Sequence, residues 1–463
     1  MATEYAIMID FGSTYTKLAC VNLIEKCTVV TGNFPSTVHE DARIGMHQCF
    51  DKAREAIGQK AFAEALKLSS SSAAGGLRMA VTGLTEHLSL VASRNAAFGA
   101  GGKIVQTLPG LLQAEDMPAL EQSGAEIFLL CGGYERGNRT MVLHNAEVLA
   151  ASRIQIPVIY AGNSSIATEV RKILLNGNKE CFLAANIIPE IGAVNAGPTE
   201  DIIRHLFMKR ITNMMGMEKV QQEIGEILMP TPAAVLAAGT LLSHGTDQEE
   251  GLGELMMVDV GGATTDVYSF SQNKGYENAK LIGAVEPYEK RTVEGDMGMR
   301  ESSVTIAQEV TEDALAAEAD VTLDRLRQGI QRRLDNHSVL PDSEEERKID
   351  QALARSAVRV SVRRHAGKLE RVNLSGRANQ VGKNLEDIQT IIGIGGVIVN
   401  NPNPKDVLLK AQLQQGEPND VLVPRKLIPQ VDQDYVFFAA GLLSQQYPEV
   451  GLAIMKASLQ HSK

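Results

Sequence analysis

Tryptophan is absent from this chain of 463 residues, and aromatic residues make up only 4% of it. Hydrophobic residues nevertheless account for 44% of the sequence, so aliphatic side chains must form most of the core. A chain of this length is expected to form two or more domains with large cores.

Cysteine is also scarce, and its pattern excludes two kinds of stabilising site. The five cysteines are odd in number and none has the C-x-x-C spacing: Cys20, Cys27, Cys49, Cys131 and Cys181. We therefore expect neither a disulfide framework nor a structural zinc site, and buried thiols are the simplest interpretation.

The chain lacks a long apolar run, a basic leader and a net positive charge. No apolar stretch approaches the roughly 20 residues that span a bilayer. Acidic Glu4 precedes a short apolar strand, where a signal peptide would carry basic residues. The formal net charge of −11 disfavours general binding to nucleic acid or anionic membranes. These observations predict a cytoplasmic protein that binds neither.

Two apolar strands each end in an aspartate followed by a turn of small residues. Residues 6–17 read AIMIDFGSTYTK and residues 255–266 read LMMVDVGGATTD. Glycine lets the chain turn back tightly, so that backbone N–H groups approach phosphate oxygens, and hydroxyl groups add further donors. The candidate nucleotide-binding residues of these turns are Gly12, Ser13, Thr14, Lys17, Gly261, Gly262, Ala263 and Thr264.

The aspartates of these turns, Asp10 and Asp259, predict a magnesium site. A carboxylate beside phosphate groups is repelled unless a cation lies between them. We therefore expect both aspartates to hold Mg²⁺ through its water shell, because Mg²⁺ usually keeps several waters. Lys17 is a candidate charge partner for the phosphates. Asp10, Asp259 and Asp266 are the candidate catalytic residues.

A third glycine motif lies in residues 391–400, which read IIGIGGVIVN. Gly393, Gly395 and Gly396 interrupt an apolar strand and would let the backbone pack flat against a planar ring or a ribose. The alternative is a strand-to-helix turn that needs a positive φ, and the motif alone does not decide between them.

Together these motifs resemble those of the actin, Hsp70 and sugar-kinase superfamily. Residues 10–15 and 259–266 are similar to its two phosphate motifs, and residues 393–396 to its adenosine motif. Residues 232–239 and 434–441 resemble its two connecting helices. The resemblance implies an α/β protein with a two-lobed actin-like ATPase fold, made of duplicated ribonuclease-H-like domains with a nucleotide cleft between the lobes.

The resemblance also implies a domain organisation. Lobe I would comprise residues 1–245 plus 434–463, and lobe II residues 246–433. Residues 125–190 read as strand, helix, strand, helix, strand, which predicts a parallel βαβ sheet inserted in lobe I. Residues 131–137 at its first strand end lack the G-x-G-x-x-G spacing, which disfavours a dinucleotide-dependent redox role.

Four segments narrow the resemblance to the GlmL/MutL family: residues 70–84, 138–149, 229–239 and 291–300. This family is associated with coenzyme-B12-dependent glutamate (methylaspartate) mutase and similar aminomutases. The resemblance covers essentially the whole chain. It implies an ATP-dependent reactivating chaperone with ATP and Mg²⁺ as cofactors and mutase subunits as partners. A small accessory subunit or a homo-oligomer is a further expectation.

The resemblance raises two questions about individual residues. A similar turn lies near the nucleotide in the superfamily, so Glu294 and Asp296 are candidates for the adenosine side. Hsp70-like chaperones have a water-positioning glutamate just before the first connecting helix, where this chain has Pro230. Either Asp259 or Asp266 orients the water, or hydrolysis is slow and the protein acts mainly as a nucleotide switch.

Two other functions stay open on this fold. A small-molecule kinase would need a catalytic base aimed at a substrate hydroxyl, and no motif commits to one. A filament-forming actin-like protein is the other alternative. The D-x-H start at Asp335 lacks the glycine of corrinoid-binding domains, so we do not expect this chain to hold the corrinoid itself.

Local patterns add further expectations. Residues 5–11, 17–23 and 27–31 predict antiparallel strands, residues 51–68 have helical spacing, and residues 69–76 read as a loop. The basic stretch at residues 355–371 is most simply a solvated helix face. Docking of an acidic mutase surface on its Arg363 and Arg364 is the alternative.

Overall fold

The computed structural model describes residues 3–12, 14–38, 40–72, 77–212, 217–225, 229–337, 339–372 and 377–460. Contacts divide the chain into two compact units. The first unit comprises Met1–Ser71, Met215–Lys280 and Pro287–Lys463, and the second comprises Ser72–Met214 and Leu281–Glu286. The lobe boundaries expected from the sequence are a different division and stay a prediction.

The first unit begins with a strand that is buried on both faces. The elements of this segment are β1 (Tyr5–Phe11), β2 (Tyr15–Asn22), β3 (Cys27–Pro35), α1 (Ala42–Ile57), α2 (Gln59–Glu64) and β4 (Leu66–Ser71). Residues 6–11 of β1 are fully buried, as their nearly continuous apolar run requires of a central strand. β1 pairs antiparallel with β2, and β2 with β3, which confirms the three predicted strands.

The helix predicted over residues 51–68 is wrong at its C-terminal end. Gly58, with a φ of 81°, ends α1, the short helix α2 follows, and from Leu66 the chain enters β4, which runs parallel to β1. Three consecutive serines at the end of β4, Ser69 to Ser71, are fully buried. Their small side chains fit the crowded centre of a sheet, which helical spacing alone does not reveal. The loop predicted over residues 69–76 is therefore wrong for these three residues, and residues 73–76 lie outside the described residues.

The second unit is built on a parallel sheet. Its elements are β5 (Leu77–Gly83), α3 (Ser89–Gly99), β6 (Gly102–Pro109), α4 (Met117–Gln122), β7 (Ile127–Leu130), α5 (Thr140–Ala151), β8 (Val158–Tyr160), α6 (Ala167–Asn176), β9 (Cys181–Leu183) and α7 (Gly197–Thr212). The strand order is β6-β5-β7-β8-β9, and every neighbouring pair is parallel. The predicted βαβαβ pattern of residues 125–190 is confirmed as β7 to β9.

The rest of the chain belongs to the first unit, except for Leu281–Glu286, which belong to the second. Its elements are α8 (Met217–Ile224), β10 (Met229–Pro230), α9 (Thr231–His244), β11 (Leu255–Val260), β12 (Thr265–Phe270), β13 (Ala279–Ile282), β14 (Glu289–Glu294), α10 (Ser303–Val310), α11 (Glu312–Ala319), α12 (Leu323–Asp335), α13 (Glu344–His365), β15 (Lys368–Val372), β16 (Arg377–Val381), β17 (Thr390–Ile394), α14 (Gly396–Val399), α15 (Pro404–Leu408), β18 (Ile428–Val431), α16 (Phe437–Leu443) and α17 (Pro448–Gln460).

Two five-stranded sheets of the first unit share one topology. Their strand orders are β10-β4-β1-β2-β3 and β14-β12-β11-β17-β18. In each sheet, three antiparallel strands are followed, on the other side of the central strand, by two parallel ones. This duplication confirms the expected α/β class with a two-lobed actin-like arrangement of ribonuclease-H-like domains.

One hydrophobic cluster joins both of these sheets to α9, α16 and α17. Small residues bring α9 and α16 together, since a Cβ on Gly441 would overlap the carbonyl oxygen of Ala234. The close helix contact expected from the Ala/Gly-rich segments is thereby confirmed. Within the described residues, no helix is both long and apolar enough to cross a membrane.

Candidate functional site

The two turns that follow β1 and β11 are built alike. The N–H of Gly12 donates to the carbonyl of Tyr15 at 3.0 Å, and the N–H of Gly261 donates to the carbonyl of Thr264 at 2.9 Å. Each turn therefore reverses the chain over equivalent positions and leads into the next antiparallel strand. Ser13, a predicted phosphate contact, lies outside the described residues.

Asp10, at the end of β1, is fully buried and its two oxygens have different surroundings. Its Oδ1 accepts hydrogen bonds from Ser70 Oγ at 3.1 Å and from the hydroxyl of Thr231. Its Oδ2 is buried and receives no hydrogen bond, while Lys17 Nζ lies 3.5 Å away. A buried carboxylate oxygen without a donor is unfavourable, so Oδ2 is the atom that would gain most from a bound cation.

Asp259, at the end of β11, has a higher pKa than an ordinary aspartate and is therefore protonated more readily. Burial, with the nearby carboxylates of Asp266 and Asp10, raises its pKa from 3.8 to about 6, against the opposing charge of Lys17. A cation bound beside Asp259 would favour the ionised form, so that cation binding and deprotonation of this carboxylate are coupled.

Asp266 is engaged in a buried ion pair. Its Oδ1 accepts from Arg291 Nε at 2.8 Å and Nη2 at 2.5 Å, and its Oδ2 accepts from Thr264 Oγ1 at 3.1 Å. The guanidinium of Arg291 and the hydroxyl of Thr264 hold this carboxylate in place beside the second turn. The geometry favours a structural role for Asp266, and its predicted catalytic role stays a prediction.

Two of the three adenosine-motif glycines contact protein rather than an open space. Gly395 has a φ of 80°, and a Cβ there would overlap Asp259 Oδ1. A Cβ on Gly393 would overlap the side chain of Ile398. Gly395 therefore lets the end of β17 pack against the second aspartate, and Gly393 lets β17 pack against Ile398 of α14. This is the strand-to-helix turn with a positive φ that the sequence left as an alternative.

The third glycine, Gly396, lies beside Tyr435, a residue that the sequence assigned only to a connecting helix and that precedes α16 in the structure. Asn400 Nδ2 donates to the Gly396 carbonyl and to Tyr435 Oη, both at 2.9 Å. The ring centroid of Tyr435 is 5.9 Å from Lys17 Nζ, and burial raises the pKa of this phenol to about 12. Tyr435 has a φ of 56°, which is unusual for a residue with a side chain. It thus connects the glycine motif to the lysine of the first turn.

The two candidate residues of the adenosine side bind the same arginine. Arg364 Nη1 lies 2.9 Å from Glu294 Oε2 and 2.8 Å from Asp296 Oδ1. In the sheet, Glu294 is paired with Thr265, directly after the second turn. The structure therefore places Glu294 next to that turn but directs its carboxylate to an ion pair.

The basic stretch around α13 is also paired within the chain. Arg363 donates to Glu417, and Arg355 contacts Asp406. With Arg364 bound to Glu294 and Asp296, the charges proposed for docking already have acidic partners. These ion pairs disfavour docking at Arg363 and Arg364, and the helix face is paired within the chain rather than fully solvated.

Comparison with known proteins agrees with the motifs. The model of the family described as MutL protein matches residues 6–459. Protein MutL of Clostridium tetanomorphum is 35% identical over 457 residues, which cover 98% of each chain. The chain belongs to the MutL family.

Solved structures give weaker likenesses. Ethanolamine utilization protein EutJ from Carboxydothermus hydrogenoformans has 12% identity and a TM-score of 0.27, over 98% of this chain and 91% of that one. Xylulose kinase from Bifidobacterium adolescentis has 11% identity and a TM-score of 0.29, over 99% and 93%. At these TM-scores neither likeness supports an inference.

Sequence reasoning missed two side chains of this MutL-family site, Ser70 and Thr231. Thr231 is the first residue of α9 and directly follows Pro230, which belongs to β10 and pairs with Ser71 of β4. The position where Hsp70-like chaperones have a glutamate is thus part of the first sheet. The sequence signal that could have identified Thr231 is its place directly after Pro230, at the start of a predicted connecting helix.

The residues present fit a hydrated magnesium ion. Among the described residues, no group of three or more His, Cys, Asp or Glu side chains could hold a metal ion by itself. Asp10 and Asp259 instead offer two carboxylates, and Asp10 Oδ2 lacks a hydrogen-bond donor. Mg²⁺ commonly binds one or two carboxylates while waters and phosphate oxygens complete its shell.

Proposed function

We propose that this protein binds Mg²⁺ and ATP at the two aspartate turns and acts as an accessory protein that reactivates a B12-dependent mutase. The expected mutase is an adenosylcobalamin-dependent glutamate (methylaspartate) mutase or a similar aminomutase. The observation that carries the nucleotide part is the duplicated turn, with the buried, donor-free Oδ2 of Asp10 in one copy.

The residues of both turns have complementary roles in this proposal. Mg²⁺ supplies the positive charge that lets phosphates lie near Asp10 and Asp259. Lys17, 3.5 Å from Asp10 Oδ2, can turn its ammonium group from the carboxylate to a phosphate. The N–H groups and hydroxyls of the turns donate to phosphate oxygens, as glycine-rich turns commonly do.

Helices α9 and α16 would carry the conformational change. Their contact at Ala234 and Gly441 involves small residues on both sides, which permits a change in helix angle with little repacking. A nucleotide that contacts both turns binds the closed arrangement of the two sheets better than the open one. Only such a difference in affinity can shift the equilibrium, and release of the nucleotide would reverse it.

Hydrolysis is expected to be slow. Pro230 stands where a water-positioning glutamate is found in Hsp70-like chaperones, and Asp266 is held by Arg291. Asp259, with its pKa of about 6, is the remaining carboxylate that could orient a water. The protein would therefore act mainly as a nucleotide-dependent switch with a low turnover number.

The proposed partner is inferred from the family to which the chain belongs. The resemblance to GlmL/MutL proteins implies reactivation of a mutase whose cobalamin has been damaged, and membership of the MutL family supports this. The cytoplasm is the compartment in which we expect the two proteins to meet.

The direct test uses mutase that has been inactivated with oxygen or cyanocobalamin. It is incubated with this protein, ATP, Mg²⁺ and adenosylcobalamin, and the return of mutase activity is measured. Controls omit ATP or replace the protein with its Asp10→Asn variant. We expect activity to return only in the complete mixture, and no return above the protein-free control would refute the reactivating role for that partner.

Phosphate release distinguishes the two other functions of this fold. Release without an acceptor, stimulated by inactivated mutase, supports the accessory role. ADP formation that depends on a small substrate would indicate a kinase instead. Light scattering that increases with nucleotide would indicate filament assembly.

A further inference from the structure

The side chain of Thr231 connects the first aspartate to the first connecting helix. Its hydroxyl donates to Asp10 Oδ1, and Ser70 Oγ donates to the same oxygen at 3.1 Å. The two hydroxyl oxygens lie 3.4 Å apart. One carboxylate oxygen of Asp10 is thus saturated by two donors that come from different elements, β4 and α9.

The backbone holds both donors in place. In the parallel β1–β4 pair, Asp10 is the register partner of Ser70. In the β10–β4 pair, Met229 is the partner of Ser70 and Pro230 is the partner of Ser71. Thr231 follows immediately, so the sheet brings its hydroxyl to the carboxylate as α9 begins.

This arrangement determines which oxygen of Asp10 remains for a ligand. Because Oδ1 accepts both hydroxyls, the carboxylate plane is set and Oδ2 is left buried without a donor. Its neighbouring cation is Lys17 Nζ at 3.5 Å. An oxygen in this state is ready for a metal-bound water, and rotation of the carboxylate would break two charge-assisted hydrogen bonds.

We infer that Thr231 is a positioning residue that, together with Ser70, directs Asp10 Oδ2 towards Mg²⁺ and links the occupancy of that site to α9. The inference rests on the proposed function, since it concerns the same Mg²⁺·ATP site. Helix α9 contacts α16 through Ala234 and Gly441, so a movement of α9 that withdraws the Thr231 hydroxyl would free Asp10 to rotate and weaken Mg²⁺ binding.

The main test is Thr231→Val, which replaces the hydroxyl with a methyl group of similar size. The Mg²⁺ concentration for half-maximal ATP binding is measured by calorimetry or with a fluorescent nucleotide. We expect it to rise about tenfold, which is the size of effect for one hydrogen bond to a charged group. ATP binding without Mg²⁺ should not change, and Thr231→Ser should restore the wild-type Mg²⁺ dependence.

Thr240→Val is the matched control. Thr240 lies on the same helix, and its hydroxyl donates to the carbonyl of Leu236 rather than to a carboxylate. This variant should keep the wild-type Mg²⁺ dependence. If it changes as much as Thr231→Val, a general effect on α9 explains the result and the inference is wrong.

Ser70→Ala gives an independent measurement, also if Thr231→Val folds poorly. It should shift the Mg²⁺ dependence in the same direction by a smaller factor. The double variant should shift it by less than the product of the two factors, because both hydroxyls act on one oxygen.

Hydrogen exchange measures whether occupancy of the Mg²⁺ site is coupled to α9. Mg²⁺·ATP should protect the first turn of α9 in the wild type and in Thr231→Ser, and protect it less in Thr231→Val. Wild-type Mg²⁺ dependence in both Thr231→Val and Ser70→Ala, or no rescue by serine, would overturn the inference. Failure of the wild-type protein to bind Mg²⁺·ATP would instead refute the proposed function.

Discussion

Across the β1–β2 pair Asp10 faces Lys17, whereas across the equivalent β11–β12 pair Asp259 faces Asp266. The two turns share their backbone hydrogen bond but have opposite charges at this matched position. The first aspartate thus has an ammonium group at 3.5 Å, and burial beside a second carboxylate raises the pKa of the other to about 6. The duplication keeps the turn, whereas the cross-strand residue is an ammonium group beside Asp10 and a carboxylate beside Asp259.

A consequence is that the second turn depends on a buried cation of its own. Arg291 binds Asp266, and both side chains are nearly inaccessible to solvent. The positive charge that pairs with Asp266 therefore comes from β14, while Lys17 of β2 lies beside Asp10 and also acts on Asp259. The four predictions below test this contrast, in order of decreasing expected effect.

The largest effect is expected from Asp266→Asn. Removal of one partner leaves the Arg291 charge buried and unbalanced, which typically costs about 3–5 kcal/mol of unfolding free energy. Urea denaturation measures the loss. The control is Asp320→Asn, since Asp320 forms an ion pair with Lys348 while its side chain is 86% exposed, and such exposed pairs contribute little to stability. Equal losses in both variants would contradict the importance of the buried pair.

Gly395→Ala should have the next largest effect. A Cβ would overlap Asp259 Oδ1, and the positive φ adds strain. We therefore expect the free energy of unfolding to fall by about 2–3 kcal/mol and ATP binding to weaken. Gly416→Ala is the matched control, because Gly416 has a φ of 85° and no atom within 4 Å of its Cβ position. We expect Gly416→Ala to lower the free energy of unfolding by about 1 kcal/mol and to leave ATP binding unchanged. Matching results at both glycines would show that contact with Asp259 has no influence.

Asp10→Asn and Asp259→Asn test the two aspartates directly. Each should weaken Mg²⁺-dependent ATP binding about tenfold or more, because an amide cannot balance the charge of the ion. Calorimetry with and without Mg²⁺ measures the change. Asp387→Asn is the control, since Asp387 is 72% exposed and pairs with Lys274. Wild-type nucleotide turnover in both site variants would exclude the two-turn site.

The smallest effect concerns pH. The pKa of Asp259 is about 6 in the folded protein and 3.8 ordinarily. The folded state therefore binds more protons between these values, and stability falls as pH rises through this window. Asp259→Asn should remove that loss, so the variant gains stability relative to the wild type as the pH rises from 4 to 6 and gains almost none below this range. Denaturation of the metal-free protein across this range measures the difference, and a gain at low pH would contradict it.

Local patterns predicted a large part of the fold. The strands of the first turn, the βαβαβ segment of residues 125–190 and the contact of two Ala/Gly-rich helices are confirmed. The helix predicted over residues 51–68 ends early because the buried serines of β4 join the sheet beside β1. Serine at the centre of a sheet has no periodic signal, since its burial depends on a neighbouring strand that lies far away in the chain.

The candidate site shows the same limit. The glycine turns and both aspartates could be located from their spacing alone, whereas the donors to Asp10 could not. Thr231 is 221 residues away from Asp10 in the sequence, and Ser70 is 60 residues away. The glycine motif locates Gly395 in the sequence, but the contact of Gly395 with Asp259 forms only because β17 pairs with β11.

By itself, the sequence determined the residues that end each strand and the small residues that let a turn or a helix contact form, because these are properties of a few neighbouring positions. Only the tertiary structure decided that burial raises the pKa of Asp259, that Arg291 of β14 pairs with Asp266 and that a threonine of α9 donates to the first aspartate. Charge, burial and hydrogen bonding at these atoms depend on strands and helices brought together from distant parts of the chain.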